Sequence, residues 1–420
     1  MEKIRILGDH ALQLRGKVRI SGSKNAVLPA IVASLLTEEP LCLQNIPRVK
    51  DVFTTLTLME ELGAESELKE DVLSIRSKKI ISPEASYELV RSMRASILVL
   101  GPLLARYGKA TVALPGGCAI GSRPINLHIA GMEKLGASIS LEHGYITAEA
   151  SRLRGAEIQF AKKTVGGTEN LLMAATLAQG ETILRNCAQE PEVVSLAELL
   201  VKMGAQIDGV GEEVIRVRGV KELGGATHPI IPDRIEAGTF LVAGALAQGD
   251  ITLESVCPGH LTAIAEKIGV SGASIEGVDD RTLRVIGSSD IKPEDITTSP
   301  YPGFPTDMQA QFMVLMTQAS GTSIITETIF DRRFSHVNEL LRLGANIELR
   351  GDKAIVKGKT PLSGAEVMAT DLRASASLIL AGLIARGETV INDVEHLDRG
   401  YERIEDKLKR LGASIERLKK

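Results

Sequence analysis

The chain contains no tryptophan, and aromatic residues make up only 3 % of its 420 positions. Base-stacking platforms and sugar-stacking tryptophan surfaces are therefore not expected. Cysteine is sparse: Cys42, Cys118, Cys187 and Cys257 form no CxxC pair, and no His/Cys cluster has zinc spacing. Neither a structural metal nor a disulfide framework is expected, and scattered thiols point to a reducing compartment. A basic surplus is also missing, since 49 Lys and Arg face 53 Asp and Glu for a net charge of −4. That balance argues against a dedicated nucleic-acid binder but leaves room for a local basic site. The longest apolar runs, such as 97–105, fall far short of a bilayer span. The opening Met1-Glu2-Lys3-Ile4-Arg5 lacks the apolar region of a signal peptide. A cytoplasmic, soluble protein without membrane contact is expected. Neither a Walker loop nor a GxGxxG after a strand is found, so nucleotide hydrolysis and hydride transfer lack support, and no cofactor is expected.

What the chain does have is internal repetition. Leu62-Gly63-Ala64, Leu135-Gly136-Ala137, Met203-Gly204-Ala205, Ser271-Gly272-Ala273, Leu343-Gly344-Ala345 and Leu411-Gly412-Ala413 recur at glycine spacings of 73, 68, 68, 72 and 68. Each follows an amphipathic helical stretch, with the glycine where a helix end needs one. Alternating strand-like sequence comes after most copies. A second recurring segment, as in 25–30, 170–173, 239–244 and 373–378, is apolar nearly all round and predicts a buried helix. Six units of two helices and several strands fit two domains of three units each, an α/β architecture. The last unit stops at Ile415-Glu416-Arg417 without a return strand, while Ile4-Arg5-Ile6-Leu7-Gly8 resembles the return strand Ile215-Arg216-Val217-Arg218-Gly219. Residues 1–21 are therefore expected to join 232–420 in one domain, with 22–231 forming the other. Two chain crossings would leave an openable cleft holding the active site.

The buried helices start at unusual residues: Lys24 and Asn25, Arg94, Thr168, Asp233 and Arg234, Asp307, and Asp371 and Arg373. Asp is an ordinary cap. Lys24, Arg94 and Arg373 are not, because a cation is the wrong charge for a helix N-terminus and is costly to bury unpaired. Together they read as an anion-handling set. Leu114-Pro115-Gly116-Gly117-Cys118-Ala119-Ile120-Gly121-Ser122-Arg123-Pro124 reads as a lid-like loop with a thiol near a cation, a setting that favours a proton-donating cysteine. In 396–403, Arg399 before a glycine is the better ligand, and Arg403 and Glu405 read as solvated helix face. Residue chemistry alone reaches a polyanion-handling enzyme, with a repeat scaffold used only for binding as the plainer reading.

Several segments together carry a more specific resemblance: Ser21-Gly22-Ser23-Lys24-Asn25-Ala26, Met93-Arg94-Ala95-Ser96, Pro115-Gly116-Gly117-Cys118 with Gly121-Ser122-Arg123-Pro124, Pro232-Asp233-Arg234-Ile235-Glu236, Phe304-Pro305-Thr306-Asp307-Met308-Gln309-Ala310-Gln311, Asp371-Leu372-Arg373-Ala374 and Asp398-Arg399-Gly400-Tyr401-Glu402. Over essentially its whole length the chain resembles the UDP-N-acetylglucosamine 1-carboxyvinyltransferases of the EPSP synthase-like superfamily. The resemblance implies a two-domain inside-out α/β barrel, each domain built from three βαβαββ repeats. It implies transfer of the enolpyruvyl group of phosphoenolpyruvate to the 3-hydroxyl of UDP-N-acetylglucosamine in peptidoglycan synthesis, without metal. Lys24, Asn25, Arg94, Arg123 and Arg399 match phosphoenolpyruvate positions. Asn25, Arg94, Arg123, Pro124, Ile125, Asn126, Leu127, Thr164, Val165, Gly166, Asp307, Ile329 and Arg333 match nucleotide-sugar positions. Catalysis is implied for Cys118 as proton donor and product-release residue, Asp307 as base, Lys24, Arg399 and Asp371. Arg373, Asp233 and Arg234 match supporting positions. Alkylation of Cys118 by fosfomycin is implied as well.

Asn126 stands where Asp is the commoner residue of the uridine strip, and a backbone contact there would make the exchange neutral. Two alternatives stay open: a shikimate 3-phosphate enolpyruvyl transferase, and a catalytically silent paralogue that binds the UDP-sugar. A monomer is the expectation.

Overall fold

The computed structural model describes residues 2–85, 87–114 and 125–419, with no side-chain description at Val90, Arg91, Ser92 and Arg94. These residues divide into two compact units, one comprising 2–21 with 232–419 and the other 22–114 with 125–231. Each unit has its own hydrophobic core, and the two cores share no residue.

Six four-stranded sheets follow one pattern, three in each unit: a parallel pair, then two antiparallel neighbours. In the 22–231 unit, Glu157–Gln159 runs parallel to Glu181–Arg185, which pairs antiparallel with Val214–Arg218, itself antiparallel to Gln206–Asp208. The strands alternate buried and open positions, as in Val214–Arg218 with Ile215 and Val217 buried, so each sheet turns one face to the core and one to water. In the other unit, Lys3–Gly8 lies between Gly387–Asn392 and Ile415–Leu418, in the place that Val214–Arg218 takes in its own sheet. The N-terminal strand thus completes a sheet whose other members come from the end of the chain.

Inside each set of sheets sit helices that are mostly apolar and buried on nearly every side. Lys24–Ala33 buries every residue from Ala26 onward, and Arg234–Leu246 and Gln309–Thr317 are buried throughout. Leu372–Ile384 packs against both of the latter two. Buried helices within, half-exposed sheets around them and the sixfold β-pattern define the inside-out α/β barrel fold. The outer helices are amphipathic: Lys50–Leu62 buries Val52, Leu56, Met59 and Leu62 and exposes Phe53 and Glu60. All six repeat glycines have positive φ, from +92° at Gly344 to +115° at Gly272, so each supplies the left-handed turn that ends a helix.

Local details differ from the sequence reading in three places. The helix containing Thr168 begins at Val165 and is capped by Thr164, because the Thr164 hydroxyl is placed to accept from the Gly167 amide at 3.2 Å. Arg94 and Asp307 lie in 3-10 turns, Arg94–Val99 and Thr306–Met308, immediately ahead of their helices. Glu405 is not on a solvated face: its side chain is 3 % exposed and pairs with Arg417 at 2.8 Å. A lone ionised carboxyl would be too costly to bury there, and the guanidinium compensates it.

Candidate active site

The expected site residues fall into two groups, one in each unit. Cys118, Arg123 and Pro124 lie outside the described residues, as does the side chain of Arg94.

In the 22–231 unit, Lys24 opens its helix, and its Nζ lies 3.2 Å from Asp51 Oδ2. Asp51 is 5 % exposed at the side chain and Lys24 13 %, so the cation is held nearly dry by an acid that also starts a helix. Asn25 is half-buried beside it in sequence. Thr164, Val165 and Gly166 form the N-terminus of the Val165–Ala175 helix, where free amides and the helix dipole favour an anion. A Cβ on Gly166 would stand 3.5 Å from His128 Cε1, so the imidazole edge faces that helix start. His128 comes from the Asn126–Lys134 helix, on which Asn126 is exposed and Leu127 half-buried, with Ile125 just ahead. The His128 ring is fixed from behind. Asn170 accepts from the Gly101 amide at 2.8 Å and donates to the Ile97 carbonyl at 3.0 Å, which orients its amide. Its remaining N–H then meets His128 Nδ1 at 3.0 Å, leaving the hydrogen of the neutral ring on Nε2.

Behind the same helix start, Glu169 is buried, and its carboxyl is pushed up to about 8, first by burial and then by Glu192 and Glu190. His128 and Glu169 escaped the sequence reading. Asn170 stands 42 positions from His128, and nothing in either local pattern links them.

In the other unit, Asp307 forms the centre. Arg373 donates to Asp307 Oδ2 from Nη2 at 2.8 Å and Nε at 3.1 Å, and Arg333 Nη2 lies 2.7 Å from Oδ1. Burial alone would raise the Asp307 carboxyl, but the two guanidiniums outweigh it and hold it well below the usual carboxylate range. Arg373 and Arg333 are 4 % and 7 % exposed at their side chains, whereas Asp307 keeps 25 % open to a ligand. Arg333 also donates to Thr306 Oγ1 at 2.9 Å. Glu327 accepts from Thr306 Oγ1 and from the backbone amide of Ile329, which places Ile329 in the same group. Asp371 caps the Leu372–Ile384 helix through the Arg373 and Ala374 amides at 2.8 and 3.0 Å. Asp233 caps Arg234–Leu246 through Ile235 and Glu236 in the same way. Arg234 lies over the Tyr301 ring at 5.7 Å. Arg399 ends the Val394–Arg399 turn and is half-buried. His336, next to Asp371 and Arg333, was not foreseen: burial holds it down at about 4, with Asp371 opposing and Arg333 reinforcing that shift. No group of metal-ligating side chains occurs among the described residues.

The arrangement is a set of paired cations and carboxylates at the starts of buried helices, suited to polyanionic substrates. The fold belongs to the enolpyruvyl transferases: the chain superposes on the enolpyruvyl transferase NikO from Streptomyces tendae with a TM-score of 0.87, at 24 % identity and 99 % coverage of both chains. EPSP synthase from Acinetobacter baumannii gives 0.77 at 20 % identity, covering both chains fully. The EPSP synthase (3-phosphoshikimate 1-carboxyvinyltransferase) family matches residues 9–408. UDP-N-acetylglucosamine 1-carboxyvinyltransferase from Koribacter versatilis is 57 % identical over all of this chain and 97 % of its own length. The protein of that name from Solibacter usitatus is 55 % identical over the whole of both chains. The chain therefore belongs to the EPSP synthase family, on its UDP-N-acetylglucosamine 1-carboxyvinyltransferase branch.

Proposed function

We propose that the protein transfers the enolpyruvyl group of phosphoenolpyruvate to the 3-hydroxyl of UDP-N-acetylglucosamine and releases phosphate, the committing reaction of peptidoglycan synthesis. The observation that carries this is whole-length identity of 55–57 % to enzymes of that name, combined with the doubly paired Asp307. The reaction is assigned to the cytoplasm, and the cell wall it supplies links it to cell shape, division and the cell cycle.

Chemistry proceeds by addition and then elimination. The sugar oxygen bonds to C2 of phosphoenolpyruvate while C3 gains a proton, giving a tetrahedral phospholactoyl ketal. Loss of a C3 proton and of phosphate restores the double bond. Lys24, Asn25, Arg94, Arg123 and Arg399 hold the phosphate and carboxylate of the donor, and the positive charge of the lysine and the three arginines favours phosphate departure. Thr164, Val165 and Gly166 meet the diphosphate, with 124–127 along the uridine. Ile329 and Arg333 contact the nucleotide sugar. Cys118 delivers the proton to C3. Its thiol is the group that the epoxide fosfomycin alkylates, and a Cys118→Ser protein should not label, as intact-mass spectrometry would report.

Asp307 takes the hydroxyl proton. Its low proton affinity makes it a weak base towards a resting alcohol, so it first orients the 3-hydroxyl by accepting its hydrogen bond. The proton moves as the C2–O bond forms and the hydroxyl becomes acidic. Asp371, with Arg373, supports the position of Asp307.

Acceptor identity is the direct test. Incubation with phosphoenolpyruvate and either UDP-N-acetylglucosamine or shikimate 3-phosphate, followed by mass spectrometry, should show the enolpyruvyl adduct of the nucleotide sugar alone. Turnover of the shikimate ester instead would overturn the assignment.

A further inference from the structure

Arg399 carries a charge that the reaction needs, yet it sits in a short turn between a strand and the last helix. The residues on either side of it are anchored firmly. Two residues on, Tyr401 is buried, its hydroxyl 2.9 Å from Thr239 Oγ1 and 3.3 Å from Gln311 Nε2, with Arg373 against its ring at 5.5 Å. That side of the turn is anchored to the Arg234–Leu246 and Gln309–Thr317 helices and lies against Arg373, the partner of Asp307.

One residue before, Asp398 is anchored differently. Arg417, on the Ile415–Leu418 strand, grips it with both terminal nitrogens: Nη1 to Oδ2 at 2.8 Å and Nη2 to Oδ1 at 2.6 Å. The same guanidinium reaches Glu405 from Nε at 2.8 Å and Nη2 at 3.3 Å, and Glu2 from Nη1 at 2.8 Å. Arg403 Nε adds a second cation to Glu405 at 3.4 Å. Three carboxylates from three segments converge on one cation that is 13 % exposed. The planar fork of arginine is what permits such an arrangement; a lysine could not hold Asp398 bidentately.

We infer that Arg417 is a positioning residue for Arg399, clamping Asp398 so that the neighbouring guanidinium is held where the donor's phosphate or carboxylate binds. This rests on the proposed reading of Arg399 as a phosphoenolpyruvate ligand. Arg417 touches no substrate; it acts through the turn. The C-terminal strand thereby serves the donor site as well as the fold, while Glu2 is a further partner of Arg417 beside the turn's Asp398.

The decisive variants are Asp398→Asn and Glu2→Gln. Each removes one carboxylate from Arg417 and leaves the other two, but only the first loosens the turn. Asp398→Asn should raise the KM for phosphoenolpyruvate on the order of tenfold, about 1.4 kcal/mol, with the KM for UDP-N-acetylglucosamine unchanged. Glu2→Gln should leave both KM values as they are. In an Arg399→Lys background the Asp398→Asn effect should vanish, because the ligand being positioned is already lost. A purely structural clamp predicts otherwise: both carboxylate variants lower the melting temperature alike, and neither moves the phosphoenolpyruvate KM selectively. That result would overturn the inference. Calorimetric titration of phosphoenolpyruvate into the same proteins separates the two claims. An unmodified chain that binds the donor without turnover contradicts the proposed reaction, while a selective loss of donor affinity in Asp398→Asn still upholds the clamp.

Discussion

Asp307 is held by opposing forces, and its two guanidiniums prevail over burial. Its carboxyl is depressed, so its contribution to stability is complete above the unfolded value, roughly 3.9, and fades only as pH falls through the still lower folded value. This group should produce no acid limb at physiological pH, in stability or in rate. Asp307→Asn should lower kcat by about 10²–10⁴-fold. It should also lower the melting temperature, because two nearly dry arginines lose their partner. Steady-state assay and thermal melting on one sample read both effects. His228 has the opposite chemistry with the same sign. Burial, then Lys202, bring it down to about 4; Lys202 Nζ approaches Nδ1 at 3.2 Å and Ser195 lies 3.0 Å from Nε2. Its unfolded value is near 6.5, so stability is full above that pH and declines as pH falls from there towards 4. His228→Gln should flatten the decline in melting temperature over that range. The sequence exposes Arg373 as a misfit at the start of an apolar helix, whereas Asp307 reads from composition as an ordinary cap. It does not expose their pairing, because 66 positions separate them and only the packed helices bring them together.

At the scale of elements, the repeat glycines were legible because a helix end that turns left-handed demands glycine, and the demand recurs six times. Gly204 isolates that demand: φ is +105°, and an added Cβ would meet nothing within 4 Å. Gly204→Ala should therefore cost roughly 1–2 kcal/mol from backbone conformation alone, measurable by urea denaturation; a change near zero would show that the turn relaxes freely. The buried helices were equally legible from their nearly all-round apolar character. Helix starts were less so. Thr164 and Thr168 are both plausible caps by composition, and only the hydrogen bond to Gly167 distinguishes them. Glu405 shows where pattern reading fails: a charged residue in a charged stretch looks solvated until a distant strand delivers Arg417.

At the scale of the molecule, the last sheet of the sixfold pattern is completed by a strand from the beginning of the chain. Lys3–Gly8 supplies it, with Ile4 and Ile6 fully buried in the unit that also holds Asp307 and Arg373. Deleting residues 1–8 should expose that sheet and destabilise this unit, seen as early loss of amide protection in 232–419 under hydrogen exchange. Equal protection with and without the segment would contradict the account. The sequence betrayed this closure through the likeness of 4–8 to 215–219, a match of strand pattern that needs no knowledge of spatial neighbours.

The central claim is the reaction, and phosphate release from phosphoenolpyruvate tests it most directly. The account predicts steady release when UDP-N-acetylglucosamine is present and none without it. No release with both ligands bound would contradict it and leave a nucleotide-sugar-binding protein on an enolpyruvyl transferase fold.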